Sequence, residues 1–357
     1  MQEHLLPSDF SLSSYDYTLP QELIAMHPTS PRRDGKLLVY YRNSGEIRHC
    51  HFRDFSEIVP RDYTLVCNDT KVLRARLYGY KQGGENIREI LFHKAYSVDS
   101  TPSFLVQIRG RVKRGTEFRI CDHNHCPTNF SMRVLEVLDN GLRVVSFYDD
   151  TRNAPLHLTD LYAMLEAFGH IPLPPYMKRQ DTLQDSIDYQ SAFAKNEGAV
   201  AAPTASLHFS DEDFSYLKTL YDICYITLHV GAGTFANVEA QDIRAHIMHT
   251  ESYAITPKAR EKILGDSKLL CIGTTAARAV EYFWRVRETE GLCDLFLHPG
   301  NTPKRVDALL TNFHFPKSTL LMLVSAFVSC EEMIRIYTCA IAHKYKFFSY
   351  GDGMLIL

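Results

Sequence analysis

Two apolar runs, each broken off by glycines and hydroxyls, constrain this chain more than any other feature. Ile226-Thr-Leu-His229-Val230 enters Gly231-Ala-Gly233-Thr234-Phe235, and Lys268-Leu-Leu-Cys-Ile272 enters Gly273-Thr274-Thr275-Ala-Ala-Arg278. Short apolar runs without alternation read as strands buried on both faces. A glycine loop at the carboxyl end of such a strand is where an open α/β sheet holds its ligand, because glycine lets backbone approach closely. The second loop opens a helix from Ala276 to Arg287, with a threonine at the natural N-cap position. Free N–H groups at a helix start attract carboxylate or phosphate. No Gly-Lys-Ser/Thr follows at the spacing of a nucleotide P-loop.

Histidines cluster around these loops. Gly198 to Phe209 carries Thr204 and His208 among small residues and few charges, and His246-Ile-Met-His249-Thr-Glu251 follows the first loop. Leu309 to Thr319 holds Asn312 and His314, and Phe347 to Met354 holds Tyr350 and Asp352. The set suits a lined pocket better than tight turns with core histidines. Ser-His-Asp order, a nucleophile elbow, kinase motifs and His-Glu-x-x-His are all absent. The chemistry on offer is general acid–base catalysis by histidine beside anion-receptive loops.

Around this core the texture changes twice. Leu37–Tyr41 and Glu46–Phe52 read as a hairpin about Asn43-Ser-Gly45. From 62 to 150 come short strand-like runs at Thr64–Cys67, Val72–Tyr80, Arg88–Tyr96, Ser103–Arg109, Glu117–Cys121, Phe130–Leu138 and Leu142–Tyr148. Turn clusters such as Asp139-Asn-Gly141 separate them, which argues for a small antiparallel barrel. Helical segments return at Leu158–Phe168, Asp211–Leu220 and Glu331–Lys344. The expected fold is a mixed-sheet α/β domain, 1–61 and 151–357, with the β-barrel domain 62–150 inserted.

With 357 residues and a net charge of -3, the chain as a whole carries no polyanion signature. Any nucleic-acid contact must be local; the basic positions are Arg76, the turn bearing Arg111, Lys113 and Arg114, and Lys178-Arg179. Cys121, His123, His125 and Cys126 are zinc-ligand types, but too crowded for the usual paired spacing. Nine scattered cysteines fit free thiols in a reducing compartment. No signal peptide is visible, and the longest apolar run, Leu320–Val328, falls short of the roughly 20 residues of a membrane span. A cytoplasmic location, no membrane contact and a monomeric state are the expectations.

Ordered motifs across nearly the whole chain then carry a family resemblance. They are Leu19-Pro20, Cys67-Asn-Asp-Thr70-Lys-Val72, Ala75-Arg76-Leu77, Ile171-Pro-Leu-Pro-Pro-Tyr176, Tyr189-Gln190 and Ala199-Val-Ala-Ala-Pro-Thr204. Leu207-His-Phe209, Thr227 to Phe235, His246-x-Met-His249-x-Glu251 and Gly273-Thr-Thr275 with Arg278 and Glu281 continue the series. Thr311-Asn-Phe-His314, Pro316 to Thr319 and Phe347 to Asp352 complete it. The chain resembles the bacterial S-adenosylmethionine:tRNA ribosyltransferase-isomerases of queuosine biosynthesis.

That resemblance implies an α/β fold with an inserted barrel. It also implies transfer and isomerisation of the ribosyl part of S-adenosylmethionine onto 7-aminomethyl-7-deazaguanine at the tRNA wobble position. Adenine and methionine leave, S-adenosylmethionine is a consumed donor, and no metal or other cofactor is implied. A base must remove a proton from the ribose carbon beside the sulfonium, a role for His249 or His229 with Glu251 orienting an imidazole. His208 or His314 would protonate the departing adenine. Thr204, Gly231, Gly233, Thr234, His246, Gly273, Thr274, Thr275, Arg278, Asn312 and Tyr350 would bind substrate. Asp352 or Glu251 would face the methionine ammonium. The chain departs from the family pattern at Ser206, Ala236-Asn237, Arg74, Gly35-Lys36, Lys346 and Gly353. The departures around Ser206 and Ala236 motivate one competing reading, a catalytically degenerate tRNA-binding protein. The other is a metal-dependent hydrolase or lyase built on His229, His246, His249 and Glu251.

Overall fold

The computed structural model describes residues 5–84, 86–97, 102–231, 233 and 238–357. In chain order its strands begin with β1 (Lys36–Tyr41), β2 (Glu46–His51), β3 (Tyr63–Asn68), β4 (Thr70–Val72), β5 (Arg76–Lys81) and β6 (Ile87–Ser97). They continue with β7 (Ser103–Ile108), β8 (Glu117–Cys121), β9 (Pro127–Val137), β10 (Arg143–Asp149), β11 (Ala154–Pro155) and β12 (Asn196–Ala199). The last are β13 (Asp222–Leu228), β14 (Glu251–Ile255), β15 (Lys268–Ile272), β16 (Glu290–Cys293), β17 (Ala308–Asn312) and β18 (Gly353–Ile356). The helices are α1 (Phe55–Ile58), α2 (Leu158–Phe168), α3 (Asp185–Asp188), α4 (Asp211–Leu220), α5 (Pro257–Leu264), α6 (Thr274–Val286), α7 (Thr319–Val328) and α8 (Cys330–Ala342).

Two compact units result. One comprises Met1–Lys71, Gln190–Asn196 and Ala202–Leu357, the other Val72–Tyr189 and Glu197–Ala201. The larger is built on a mixed sheet in the order β16-β14-β13-β3-β15-β17-β18-β1-β2. Its centre is parallel: β13 pairs with β3, β3 with β15, and β15 with β17, all in one direction. The apolar runs predicted as buried strands sit there because helices cover both faces. Leu65, Cys67, Leu270, Ile272 and Leu310 pack with Phe214 and Leu217 of α4 in one buried cluster. The alternate residues Val66, Leu269, Cys271 and Leu309 are equally buried, and α6 lies against β13, β3, β15 and β17. Toward the other end of the sheet, β18 pairs parallel with β1 and antiparallel with β17, and β1 closes its predicted hairpin with β2.

The smaller unit contains a closed antiparallel barrel of six strands. Its order is β10-β7-β6-β5-β8-β9, with β9 returning to β10 and β11 added on β10's side. Period-two patterning fills the interior. Leu77, Ile90, Phe92, Phe104, Val106, Phe118, Ile120, Met132, Val134, Val145 and Phe147 are all buried. The Asp139-Asn-Gly141 turn joins β9 to β10, with Gly141 at φ +80 and the Leu142 amide donating to Asn140 Oδ1 at 3.1 Å.

Three expectations need correcting. Thr64–Cys67 is no barrel strand: as β3 it lies mid-sheet in the larger unit, where its unbroken apolar run is buried on both faces. The smaller unit also continues past 150 to Tyr189 and takes in α2, because Leu161, Met164 and Leu165 give that helix a buried face and it packs on β5. Helix α6 begins one residue before its expected cap. Gly273, at φ +100, is the N-cap, and no side chain caps the helix.

Candidate functional site

Four parallel strands, β13, β3, β15 and β17, end on the same edge of the larger unit's sheet, and their carboxyl ends carry most of the predicted residues. Asn68, at the end of β3, holds this edge together. Its amide donates to the Leu228 carbonyl at 2.9 Å and to Thr275 Oγ1 at 3.0 Å. Its carbonyl oxygen accepts the Leu228 and Thr70 amides at 2.9 and 3.2 Å. Asp69 beside it accepts from Thr227 Oγ1 at 2.6 Å and Asn196 Nδ2 at 3.0 Å. Pattern reading of the chain assigns these side chains no role. The available signal is three consecutive polar residues, Asn68-Asp-Thr70, directly after an apolar run, and all three are buried.

Glu251, at the start of β14, is the electrostatic centre. It is 3% exposed, accepts the Gly231 amide at 2.9 Å, and pairs with Arg278 of α6. His249 Nε2 lies 3.4 Å from Glu251 Oε1. Burial pushes the Glu251 carboxyl up, but the Arg278 charge, His249 and the Gly231 amide outweigh it and hold the group at about 2. Arg278 also donates to the Leu295 carbonyl at 3.1 Å, while its Nη2 is buried without a hydrogen bond. Gly233 lies against the His249 ring; a Cβ there would meet Cγ at 2.9 Å, so a larger residue would have to displace the ring. His229 contacts Thr70 Oγ1 through Nδ1 at 2.8 Å, and burial lowers its pKa. His246 packs edge-on to Phe296 at 5.5 Å, and burial followed by the His249 charge lowers its pKa. Thr234 and Ala236 lie outside the described residues.

A second group surrounds Asn312 at the end of β17. Its amide donates to the Phe348 carbonyl at 3.1 Å and reaches His208 Nε2 at 3.2 Å, while its oxygen accepts from Thr204 Oγ1 at 3.1 Å. These bonds make His208 Nε2 an acceptor and leave the ring proton on Nδ1. The His208 ring stacks on Phe52, with centroids 3.8 Å apart. Tyr350 and His208 line a shallow cleft with Arg32, Leu207 and Ser349. Gly273, with its positive φ, would bring a Cβ within 3.7 Å of Ala205. Ser206, one of the departures, turns its hydroxyl onto the Pro203 carbonyl at 2.5 Å.

The structure revises several roles. Burial, with the Arg32 charge, depresses His208 to about 3, and burial alone depresses His314 to about 3. Neither is an imidazolium at neutral pH, so neither is poised as a cationic acid. His314 Nε2 meets Thr311 Oγ1 at 2.8 Å and its amide donates to the Tyr337 hydroxyl at 2.9 Å. Asp352 does not present a free carboxylate, since its two oxygens accept the Lys36 and Lys346 amides, each at 2.7 Å. On the smaller unit, Arg179 is clasped by Asp185 through two 2.7 Å bonds, and Arg76 donates to the Leu173 carbonyl at 3.0 Å. Arg111, Lys113, Arg114 and Lys178 are exposed. Among the described residues, His229, His246, His249 and Glu251 do not bring donor atoms together as metal ligands would.

A sequence profile described as "Queuosine biosynthesis protein" matches residues 12–356. The chain belongs to the queuosine biosynthesis family. It is similar to the S-adenosylmethionine:tRNA ribosyltransferase-isomerase of Helicobacter hepaticus, 50% identical over 98% of this chain and 97% of that one. The enzyme of the same name from Campylobacter fetus is also 50% identical, over 98% of this chain and 99% of that one. A crystal structure of S-adenosylmethionine tRNA ribosyltransferase from Thermotoga maritima matches with a TM-score of 0.52 and 29% identity, covering 96% of this chain and all of that one. The expected mixed α/β fold with its barrel is therefore that of a solved relative. The hydrolase reading and the degenerate-binder reading draw no support from these matches. No helix among the described residues is long and apolar enough to cross a membrane.

Proposed function

We propose that this enzyme transfers and isomerises the ribosyl part of S-adenosylmethionine onto 7-aminomethyl-7-deazaguanine in tRNA, releasing adenine and methionine and leaving epoxyqueuosine. The observation that carries the reading is near-complete coverage, at 50% identity, of relatives bearing that enzyme's name. The strand-end site supplies suitable chemistry. With Nε2 turned toward Glu251, His249 keeps Nδ1 as a base for the proton beside the sulfonium. Arg278 and the Gly231 amide fix the carboxylate that orients it. The buried Nη2 of Arg278 and the open first turn of α6 suit the methionine carboxylate. His229 is the alternative base, held by Thr70. Neutral His208, with its proton on Nδ1, can donate a hydrogen bond to adenine without being a cation. The exposed Arg111, Lys113 and Arg114 turn suits tRNA phosphates. The enzyme acts in the cytoplasm, where its tRNA is.

The test incubates purified enzyme with S-adenosylmethionine and tRNA bearing the deazaguanine, followed by mass spectrometry of nucleosides and small products. Adenine, methionine and epoxyqueuosine together are the expected result. S-adenosylhomocysteine in their place would mean methyl transfer and overturn the proposal.

A further inference from the structure

We propose that His49, Cys339 and His343 form a zinc site on the larger unit, built from none of the residues at the strand-end site. Among the described residues this is the one group of metal-ligand side chains whose donor atoms converge, one from each lying within 4.8 Å of the others. Cys339 Sγ is 3.8 Å from His49 Nε2 and 3.6 Å from His343 Nδ1. Tetrahedral zinc, with bonds of about 2.3 Å to sulfur and about 2.0 Å to nitrogen, sets those donors about 3.6 Å apart. The observed spacing already approaches that of a zinc complex.

The scaffold explains the convergence. Cys339 and His343 are four residues apart, on the last turn of α8 and at its C-cap, so they share a face. His49 comes from β2, on the edge of the sheet. Its Nδ1 lies 2.8 Å from the Tyr345 hydroxyl, the kind of outer partner that fixes a ligand histidine's orientation, and this turns Nε2 toward the sulfur. The two imidazoles stack at 4.1 Å and 27°, so a shared ion requires one ring to turn edge-on. His343 is the one that turns, since it sits at the helix end while Tyr345 holds the His49 ring.

Binding releases the Cys339 thiol proton to solvent and leaves the thiolate on the metal. The His343 ring proton moves from Nδ1 to Nε2, giving up the 2.9 Å bond from Nδ1 to the Cys339 carbonyl. Lys36 Nζ, 2.9 Å from the His343 carbonyl, opposes the incoming charge, and the thiolate offsets it. Three protein ligands leave a fourth position for water. A bound ion would staple the edge strand β2 to α8.

Zinc titration of the full-length protein against a chromogenic chelator tests this. One equivalent per chain is expected, weakened roughly 10- to 100-fold or more in Cys339→Ser and in His49→Gln. Cys126→Ser, which removes an exposed thiol on the smaller unit, should leave it unchanged. Cobalt(II) should give a thiolate charge-transfer band that Cys339→Ser abolishes, and zinc should raise thermal stability only where the three ligands are intact. Equal zinc affinity in Cys339→Ser and wild type, or no bound equivalent, would overturn the site.

Discussion

Replacing Arg278 with methionine should expose how strongly the Glu251 pair depends on its partner. Both side chains are almost wholly buried, 4% and 1% exposed, and Glu251 is held at about 2 against an ordinary 4.5. The Arg278 charge is the largest of the influences that hold the carboxyl down against burial. Breaking a buried pair by removing one member costs about 3–5 kcal/mol, because a buried charge is left uncompensated. In wild type the lowered carboxyl contributes stability that is fully present above pH 4.5 and is lost as pH falls toward about 2. In Arg278→Met the sign reverses: burial now dominates, the folded carboxyl titrates above 4.5, and the deficit shrinks as pH falls from 7 toward 4.5. Adding Glu251→Gln to Arg278→Met removes the orphan charge and should recover more than half of the loss. Urea unfolding of wild type, both single variants and the double variant, at pH 7 and near pH 5, reads all of this. Strictly additive losses, or an Arg278→Met deficit below about 1 kcal/mol, would refute the reasoning.

Other outcomes follow from the same geometry. His249→Ala should lower turnover roughly 10²- to 10⁴-fold with folding intact, the range for losing a positioned base, as single-turnover adenine release would show. Gly233→Ala drives a methyl onto the His249 ring and should lower kcat while leaving circular dichroism and melting temperature near wild type. Asn68→Ala strips the partners from the Leu228 amide and carbonyl and should cost about 2–4 kcal/mol in urea unfolding. Alanine at Arg111, Lys113 and Arg114 together should weaken tRNA binding. It should also flatten its salt dependence by roughly one unit of slope for each phosphate no longer neutralised, measured by filter binding from low to high salt.

Much of this is legible in the chain because local pattern decides it. The barrel strands alternate with a two-residue period and are split by glycine turns, so they appear in the sequence nearly where they lie. The Ile226 and Leu269 runs can only be buried strands, and the histidines beside their loops have to gather at one end. What escapes depends on how the chain is brought together in three dimensions. Thr64–Cys67 has the same composition whether it joins a barrel or the middle of a parallel sheet; pairing with β13 and β15, far away in sequence, decides it. Asp352 and Arg179 look like ligands in one dimension, and only the fold brings them the amides and the carboxylate that occupy them. The neutrality of His208 and His314 is likewise invisible in one dimension, because burial is a property of the packed chain.

The placement of β18 governs how this protein can be made. The ribosome delivers β1 first among the sheet strands and β18 last, yet the two lie side by side in the finished sheet. Until β18 has emerged, about 300 residues after β1, Leu37, Leu38 and Val39, which end wholly buried, have one backbone edge without its mate. The nascent hairpin therefore waits, sticky and incomplete, through the synthesis of everything between the two strands. Slow elongation or a stalled message would lengthen that wait, making solubility during synthesis a hazard set by strand order rather than final stability.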